Sequence, residues 1–475
     1  MQETRLRERP DDAGKRPGPA PFGPDSLAWP ALVSVLFFLA ELLPALLRLP
    51  LGADEITYIA RSSAHASGVF LPPVHGHGVG LLAAPVTLIT TSLTVLRVWM
   101  ALLSGVALFL SLLCWRGLRP AWVLALAGFI FGSLAITQLS GVQVYPDLWG
   151  GFGALAITGL LLQAVAHRVR PGVVLPAIAF VAFVIVMMRP QNIVFVLAPT
   201  FLAPIVVRDW RQPRLLVAMI IGAALGVIEW VVEAYLWFGG LTNRIHLAGQ
   251  EPPTFGLHFS LLMQVRTVSG PWYCQPGTCQ QFYYPAVYLW WLAFFGLIAL
   301  GLVAVWRLPS RRSSLLALFT AAWVGALYIL LVPFGAPRYF LPCWALGAIV
   351  AADGIAWLVR EPKWKTTGAV LAGVFLLAGA VSQHVVLTGQ VANAASVRPF
   401  LGKAQRLEKL GIKPPCALVS PSVAYYVGCT APWSVDTQYT GSTMKWIFSQ
   451  DGGVRAWHRV KLPPGAPYKY VWVRR

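Results

Sequence analysis

Apolar residues in this chain come in long continuous runs, and continuity is the test that matters, because a helix needs about 20 largely apolar residues to cross roughly 30 Å of hydrocarbon. Such runs occupy 28–47, 96–115, 121–139, 149–166, 174–188, 193–207, 215–238, 286–306, 315–334, 340–359 and 366–387. They predict an all-α polytopic membrane protein with about eleven spans. Residues 1–26, rich in Arg, Pro, Asp and Gly, lack apolar periodicity and read as a disordered tail. The run after them has no small-residue cleavage pattern behind it and reads as a retained first helix. Within the long first loop, 77–91 is apolar but short and broken by Gly and Pro, which predicts a helix lying at the interface. Beyond 387, short apolar runs at 416–419, 423–427 and 470–473 alternate with Pro, Gly and Ser clusters, predicting a small mixed α/β domain over 388–475.

Charge then orients the spans. Arg5, Arg7, Arg9, Lys15 and Arg16 fall on one side with Arg116 and Arg119, Arg168 and Arg170, Arg208, Arg211 and Arg214, Arg307, Arg311 and Arg312, and Arg360, Lys363 and Lys365. The positive-inside rule makes that side cytoplasmic. The N-terminus is then cytoplasmic and the C-terminal domain external. The opposite face receives the loop 49–95, the turn 140–148, residues 189–192, the loop 239–284, residues 335–339 and the tail from 388.

Composition agrees with this picture. With 57% hydrophobic and 12% charged residues and a mean hydropathy of +0.65, the 475-residue chain is no ordinary soluble protein. Its formal charge of +19 invites a nucleic-acid reading, but the basic residues sit in short loops between apolar runs and in a basic tail without a nucleic-acid motif. Four of the six cysteines, Cys274, Cys279, Cys416 and Cys429, lie on the external side. Proximity suggests the pairs Cys274 with Cys279 and Cys416 with Cys429, if the compartment is oxidising. High Ala, Gly and Arg content fits a bacterial source, and the multi-pass chain is expected in the plasma membrane.

The candidate chemistry gathers on the external face. Gly52-Ala53-Asp54-Glu55-Ile56-Thr57-Tyr58 sets two carboxylates just outside the first span, and Tyr145-Pro146-Asp147 sets a third before the fourth. A carboxylate there serves as a general base or a cation ligand; it equally caps a helix N-terminus. Arg189-Pro190-Gln191-Asn192 and Pro337-Arg338-Tyr339-Phe340 bring cations to the same face. An Arg fork suits a lipid phosphate, and it also suits a headgroup or a neighbouring carboxylate. Base and cations together are what a transferase needs to take a sugar from a lipid phosphate and give it to a hydroxyl.

Other residues carry less. Glu229 and Glu233 lie one turn apart in the seventh span, where buried carboxylates either bind substrate or pair structurally. His65, His75, His77, His246 and His258 match no zinc spacing and read as solvated loop residues. Glu41 and Arg48 read as an internal pair or interface anchors, and the aromatics of Pro271-Trp272-Tyr273-Cys274 and Gln281-Phe282-Tyr283-Tyr284 as a membrane-interface belt.

Three segments carry a resemblance to the GT-C superfamily of polyprenyl-phosphate-dependent glycosyltransferases, in the branch of protein O-mannosyltransferases and aminoarabinose transferases. Ala53-Asp54-Glu55-Ile56-Thr57-Tyr58 with Phe70-Leu71-Pro72-Pro73-Val74 resembles its acidic first loop and downstream Pro-Pro element. Val144-Tyr145-Pro146-Asp147 is similar to its second acidic turn, and Ala336-Pro337-Arg338-Tyr339-Phe340-Leu341-Pro342 to its Arg-Tyr segment. The resemblance covers the membrane domain, 27–387, and leaves the tail unexplained. It implies an inverting glycosyltransferase with Asp54 as base and with Glu55 and Asp147 shaping the acceptor or metal site. Arg338, with Tyr339 and Arg189, would hold the donor phosphate, and Tyr58, Glu229 and Glu233 are further substrate-binding candidates. The implied partners are a polyprenyl-phosphate sugar and an external acceptor: a protein, glycolipid or wall polymer. No obligatory metal is expected, although Asp54, Glu55 and Asp147 would suit a divalent cation, and loss of activity in a chelator would overturn that expectation. The competing readings are a lipid or glycolipid flippase without bond cleavage, which also fits carboxylates inside a bundle, and a non-catalytic scaffold presenting the tail.

Overall fold

The computed structural model describes residues 23, 26–47, 49–63, 72–250, 256–271, 273–275, 277, 279, 284–306, 310–395, 399–413, 416–417, 421–429, 457–464 and 470–474. Residues 1–22, 24 and 25 of the expected disordered tail, with Arg48, His65, Phe70, Leu71, Trp272, Gln281, Phe282, Tyr283 and Arg307, lie outside the described residues.

The apolar runs become helices in the order expected. Those of the first half are α1 (Ala28–Leu46), α2 (Ala53–Ile59), α3 (Gly78–Thr87), α4 (Leu93–Leu113), α5 (Ala121–Gly132), α6 (Ala135–Val142), α7 (Asp147–Val165), α8 (Pro171–Met188) and α9 (Ala198–Val206). There follow α10 (Pro213–Trp237), α11 (Leu241–Gln250), α12 (Leu261–Thr267), α13 (Pro285–Val305), α14 (Arg311–Leu331), α15 (Leu341–Arg360) and α16 (Lys365–Ala395). Nine helices among the described residues are long and apolar enough to cross a membrane. The two other runs predicted as spans take different forms. The run 121–139 is broken into α5 and α6, which meet at 80°, and 193–207 forms a π-helical turn, Ile193–Leu197, continued by α9. The expected interfacial helix is α3.

Two helices form the centre. α7 is 94% buried along its apolar window and the segment Pro337–Arg360 is 78% buried, against 28–39% for the other spans. Small residues allow this packing: a Cβ on Gly153 of α7 would stand 2.4 Å from Ile185 of α8, so only glycine lets the two helices approach. The carboxylate inside α15 is paired, as the low dielectric favours. Asp353 of α15 accepts from Arg119 at 2.7 and 3.0 Å and from Ser314 of α14 at 3.3 Å. Glu41 of α1, expected to pair with Arg48 or anchor at the interface, is fully buried and accepts a hydrogen bond from Ser104 of α4.

The tail folds as a mixed unit. α17 (Pro399–Lys409) and α18 (Pro421–Val427) accompany an antiparallel sheet of β1 (Cys416–Ala417), β2 (Trp457–Lys461) and β3 (Tyr470–Arg474) in the order β1-β3-β2. Disulfides join Cys274 to Cys279 and Cys416 to Cys429. The Cys416–Cys429 bond ties α18 to the sheet, and α18 packs on α2, where the Tyr426 hydroxyl accepts from the Leu51 amide at 3.1 Å.

Candidate active site

Asp54 and Asp147 leave different elements and meet at the same arginine. Asp54 stands in the first turn of α2, whose N-terminus is closed by the Glu55 carboxylate accepting from the Gly52 amide at 3.0 Å. Asp147 opens α7, where the helix dipole favours a negative group. Its carboxylate lies 3.1 Å from Nη2 of Arg189 and 3.3 Å from Nε of Arg338. Nη2 of Arg338 is 3.6 Å from Oδ2 of Asp54. Arg189 is the residue after α8, and Arg338 comes from the 3-10 turn Pro337–Phe340 that opens α15.

Aromatic rings fix the two cations. The Arg338 guanidinium lies 5.0 Å from the Tyr145 ring centre and 5.2 Å from that of Tyr339, and Arg189 lies 5.1 Å from the same Tyr339 ring. The side chains of Asp147, Arg338 and Arg189 are 2, 8 and 12% exposed, while that of Asp54 is 36% exposed. Asp54 is therefore the acid of this cluster that an incoming molecule reaches.

Tyr58 lines the same place. Its ring stacks on His75 with centres 4.7 Å apart, and its buried hydroxyl has no hydrogen-bond partner among the described residues. Burial pushes the phenol pKa up; Arg189 opposes the shift, and Asp54 and Asp147 add to it. Burial also raises Tyr145, helped by Asp54. Both therefore remain neutral hydrogen-bond donors. Burial, then the charges of Arg189 and Arg338, push His75 down to about 3, so its ring is neutral.

Glu55, expected to act beside Asp54, faces the other way. It is fully buried and paired with Arg97 of α4, whose Nη2 donates to Oε2 at 2.9 Å while the Val144 amide donates to Oε1 at 2.8 Å. Arg97 also donates to the carbonyls of Val142 at 3.0 Å and of Leu49 and Pro50 at 3.3 Å. This junction fastens the strap before Asp54 to the turn before Asp147. Arg97 drew no attention in the sequence, although a charge inside an apolar span is a signal that a partner exists.

Glu229 and Glu233 share a face, as their spacing required, and the structure pairs them with His77 and Arg244. His75 and His77 are thus engaged, not simply solvated. Among the described residues no three His, Cys, Asp or Glu side chains are grouped to hold a metal ion.

Against the turn that carries Arg338 an apolar cavity of about 610 Å³ opens between α6, α12, α13, α14, α15 and α16. Pro337 and Phe340, which flank Arg338 and Tyr339, are in its wall with Trp291, Phe295 and Trp344. The loop that carries α12 and Cys274 is pinned over residues 334–336, just before Arg338. Gln264 of α12 donates to the Phe334 carbonyl at 2.8 Å and accepts from the Ala336 amide at 3.2 Å, and Cys274 exchanges two 2.8 Å backbone bonds with Gly335. Tyr273, expected in an interfacial belt, instead packs on Phe334 with ring centres 4.6 Å apart.

No protein-family model and no curated protein sequence matches the chain. Solved structures do. ArnT from Cupriavidus metallidurans, bound to undecaprenyl phosphate, superposes with a TM-score of 0.61 at 14% identity over 88% of each chain. Its apo form gives 0.59 at 13% identity over 86% of this chain and 87% of that one. The apo oligosaccharyltransferase of Archaeoglobus fulgidus gives 0.53 at 12% identity, over 86% of this chain and 64% of the archaeal one. At this identity the superpositions speak for the fold: the chain shares the GT-C fold of these two proteins.

Proposed function

We propose that the protein is an inverting glycosyltransferase that moves a sugar from a polyprenyl-phosphate donor to an acceptor hydroxyl at the outer face of the membrane. The observation that carries this reading is the partly exposed Asp54 beside Arg338, which shares Asp147 with Arg189 and stands in a turn whose Pro337 and Phe340 line an apolar cavity. Arg338 and Arg189 would hold the donor phosphate, and Asp147, buried between them, would keep both forks oriented. The donor's hydrocarbon chain would enter the cavity next to Pro337 and Phe340. The ArnT structure with undecaprenyl phosphate supports this choice of donor.

Asp54 would take the proton of the acceptor hydroxyl as its oxygen attacks the anomeric carbon from the face opposite the phosphate. The carbon–oxygen bond to phosphate breaks, its electron pair stays on the leaving polyprenyl phosphate, and the arginines stabilise that charge. Neutral Tyr58 would donate to a substrate oxygen. Glu55, turned to Arg97, positions α2 and does not touch substrate. With the cations supplied by Arg189 and Arg338, the mechanism needs no divalent ion.

The test is to supply radiolabelled polyprenyl-phosphate sugars to membranes containing the protein and to identify which label moves and to what. Asp54→Asn should lower transfer by about 10²–10⁴ while the protein remains folded and inserted. Full transfer by that variant would refute the mechanism, and movement of labelled lipid across the bilayer without bond cleavage would favour the flippase reading.

A further inference from the structure

Asp54 is carried by a helix too short to hold itself. α2 has seven residues, and an isolated helix shorter than about 12 residues is marginal in water, so what grips α2 sets its position. The bundle grips it at two points. Glu55 pairs with Arg97, which also donates to the carbonyls of Leu49 and Pro50. The Ser62 hydroxyl lies 2.9 Å from that of Thr87 in α3, and Ser62 ends the 3-10 turn Ala60–Ser62 that continues α2.

The C-terminal unit adds a second grip, from α18. The Leu51 amide donates to the Tyr426 hydroxyl at 3.1 Å just before α2 begins, and Tyr425 hydrogen-bonds the Ser63 side chain just after the 3-10 turn ends. Adjacent tyrosines thus reach opposite ends of α2, their rings edge to face with centres 5.6 Å apart. Burial raises both phenols above their ordinary value, so both stay neutral. α18 is itself fixed by a Schellman turn. The Gly428 amide donates to the Tyr425 carbonyl at 3.1 Å and the Cys429 amide to that of Ala424 at 2.8 Å, with Gly428 at a φ of +77° that favours glycine. The turn brings Cys429 to Cys416 of β1, and their disulfide anchors α18 to the sheet.

We propose that Tyr425 and Tyr426 are positioning residues for Asp54, and that α18 is a clamp on α2 which the Cys416–Cys429 bond keeps closed. The tail is then part of the transfer machinery, through the helix that carries the base. The proposed phosphate ligands stand on other elements, Arg189 at the end of α8 and Arg338 in the turn before α15. Loosening the clamp should therefore lower kcat and leave donor binding in place. The catalytic meaning of the clamp rests on the proposed transfer reaction; its hold on α2 does not.

The test joins hydrogen exchange, read by mass spectrometry on the full chain in lipid nanodiscs, to transfer kinetics. Tyr426→Phe and Tyr425→Phe keep the rings and remove the hydroxyls. Each should speed exchange of the amides of residues 51–63 about three- to tenfold, the scale of one hydrogen bond, and lower kcat about tenfold with the donor KM within about twofold of native. Cys416→Ala with Cys429→Ala should reproduce both effects with both hydroxyls present. In an Asp54→Asn background Tyr426→Phe should cost no further transfer, because the clamp acts through that carboxylate, whereas a general loss of folded protein lowers transfer in either background. Unchanged exchange in both Phe variants, faster exchange with unchanged kcat, or an equal loss with and without the Asp54 carboxylate overturns the proposal. Faster exchange in the variants together with no sugar transfer by the native protein would instead count against the proposed reaction alone.

Discussion

Replacing Arg97 by Met would remove the fork that joins the two acidic motifs and leave Glu55, 0% exposed, with the amides of Gly52 and Val144 but no countercharge. Removing one partner of a buried ion pair costs about 3–5 kcal/mol. The carbonyls of Leu49, Pro50 and Val142 lose their donor as well, and a buried unsatisfied acceptor costs about 1–3 kcal/mol. Both losses stem from one guanidinium and do not add in full, so the expected destabilisation is about 4–6 kcal/mol. Equilibrium unfolding of the purified protein in detergent measures it. Arg97→Met with Glu55→Leu should recover the part of the stability lost to the uncompensated charge, but not the part lost with the backbone hydrogen bonds of Leu49, Pro50, Val142, Gly52 and Val144. Transfer should stay low, since Asp54 and Asp147 would have lost their tie. Stability of Arg97→Met within about 1 kcal/mol of the native protein, or a double variant no better than the single one, would refute the assignment of this pair as the junction.

Two further outcomes follow from the cavity and from the buried His75. Ala322→Trp places an indole in the cavity and should raise the KM for a long-chain donor about tenfold, the equivalent of two buried methylenes, while a short-chain donor is handled as before; equal effects on both would separate the cavity from the donor chain. His75 titrates lower in the folded protein than its ordinary 6.5, so its contribution to stability is full above about pH 6.5 and is lost as pH falls towards about 3. His75→Gln should flatten that acid limb in unfolding midpoints measured between pH 7.5 and pH 4.5, and an unchanged limb would mean the ring is not buried neutral.

Much of the candidate cluster was legible because its acids and cations sit next to apolar runs, where a turn between spans leaves little freedom of placement. Asp54, Asp147, Arg189, Arg338, Tyr339 and Tyr58 were all found that way, and the structure gathers them. What failed was the direction of neighbours. Asp54 and Glu55 are adjacent in α2, but successive helical residues point about 100° apart, so one faces Arg338 and the other Arg97. Sequence adjacency suggested a shared role, and geometry divided it. Glu229 and Glu233 were rightly put on one face, yet their partner His77 lies 152 positions from Glu229. No local pattern signals a contact over that separation.

The sequence by itself determined the solvent of this protein and the order of its helices, because a spanning helix satisfies its own backbone and declares itself by length and hydropathy alone. It also determined which loops carry the unusual charges. Only the tertiary structure decided that 121–139 breaks by 80°, that Glu55 is sealed against Arg97, and that the His75 ring stacks on Tyr58. Each of these depends on how buried polar groups find partners across the bundle, and in a low dielectric that choice is made by three-dimensional proximity rather than by neighbours along the chain.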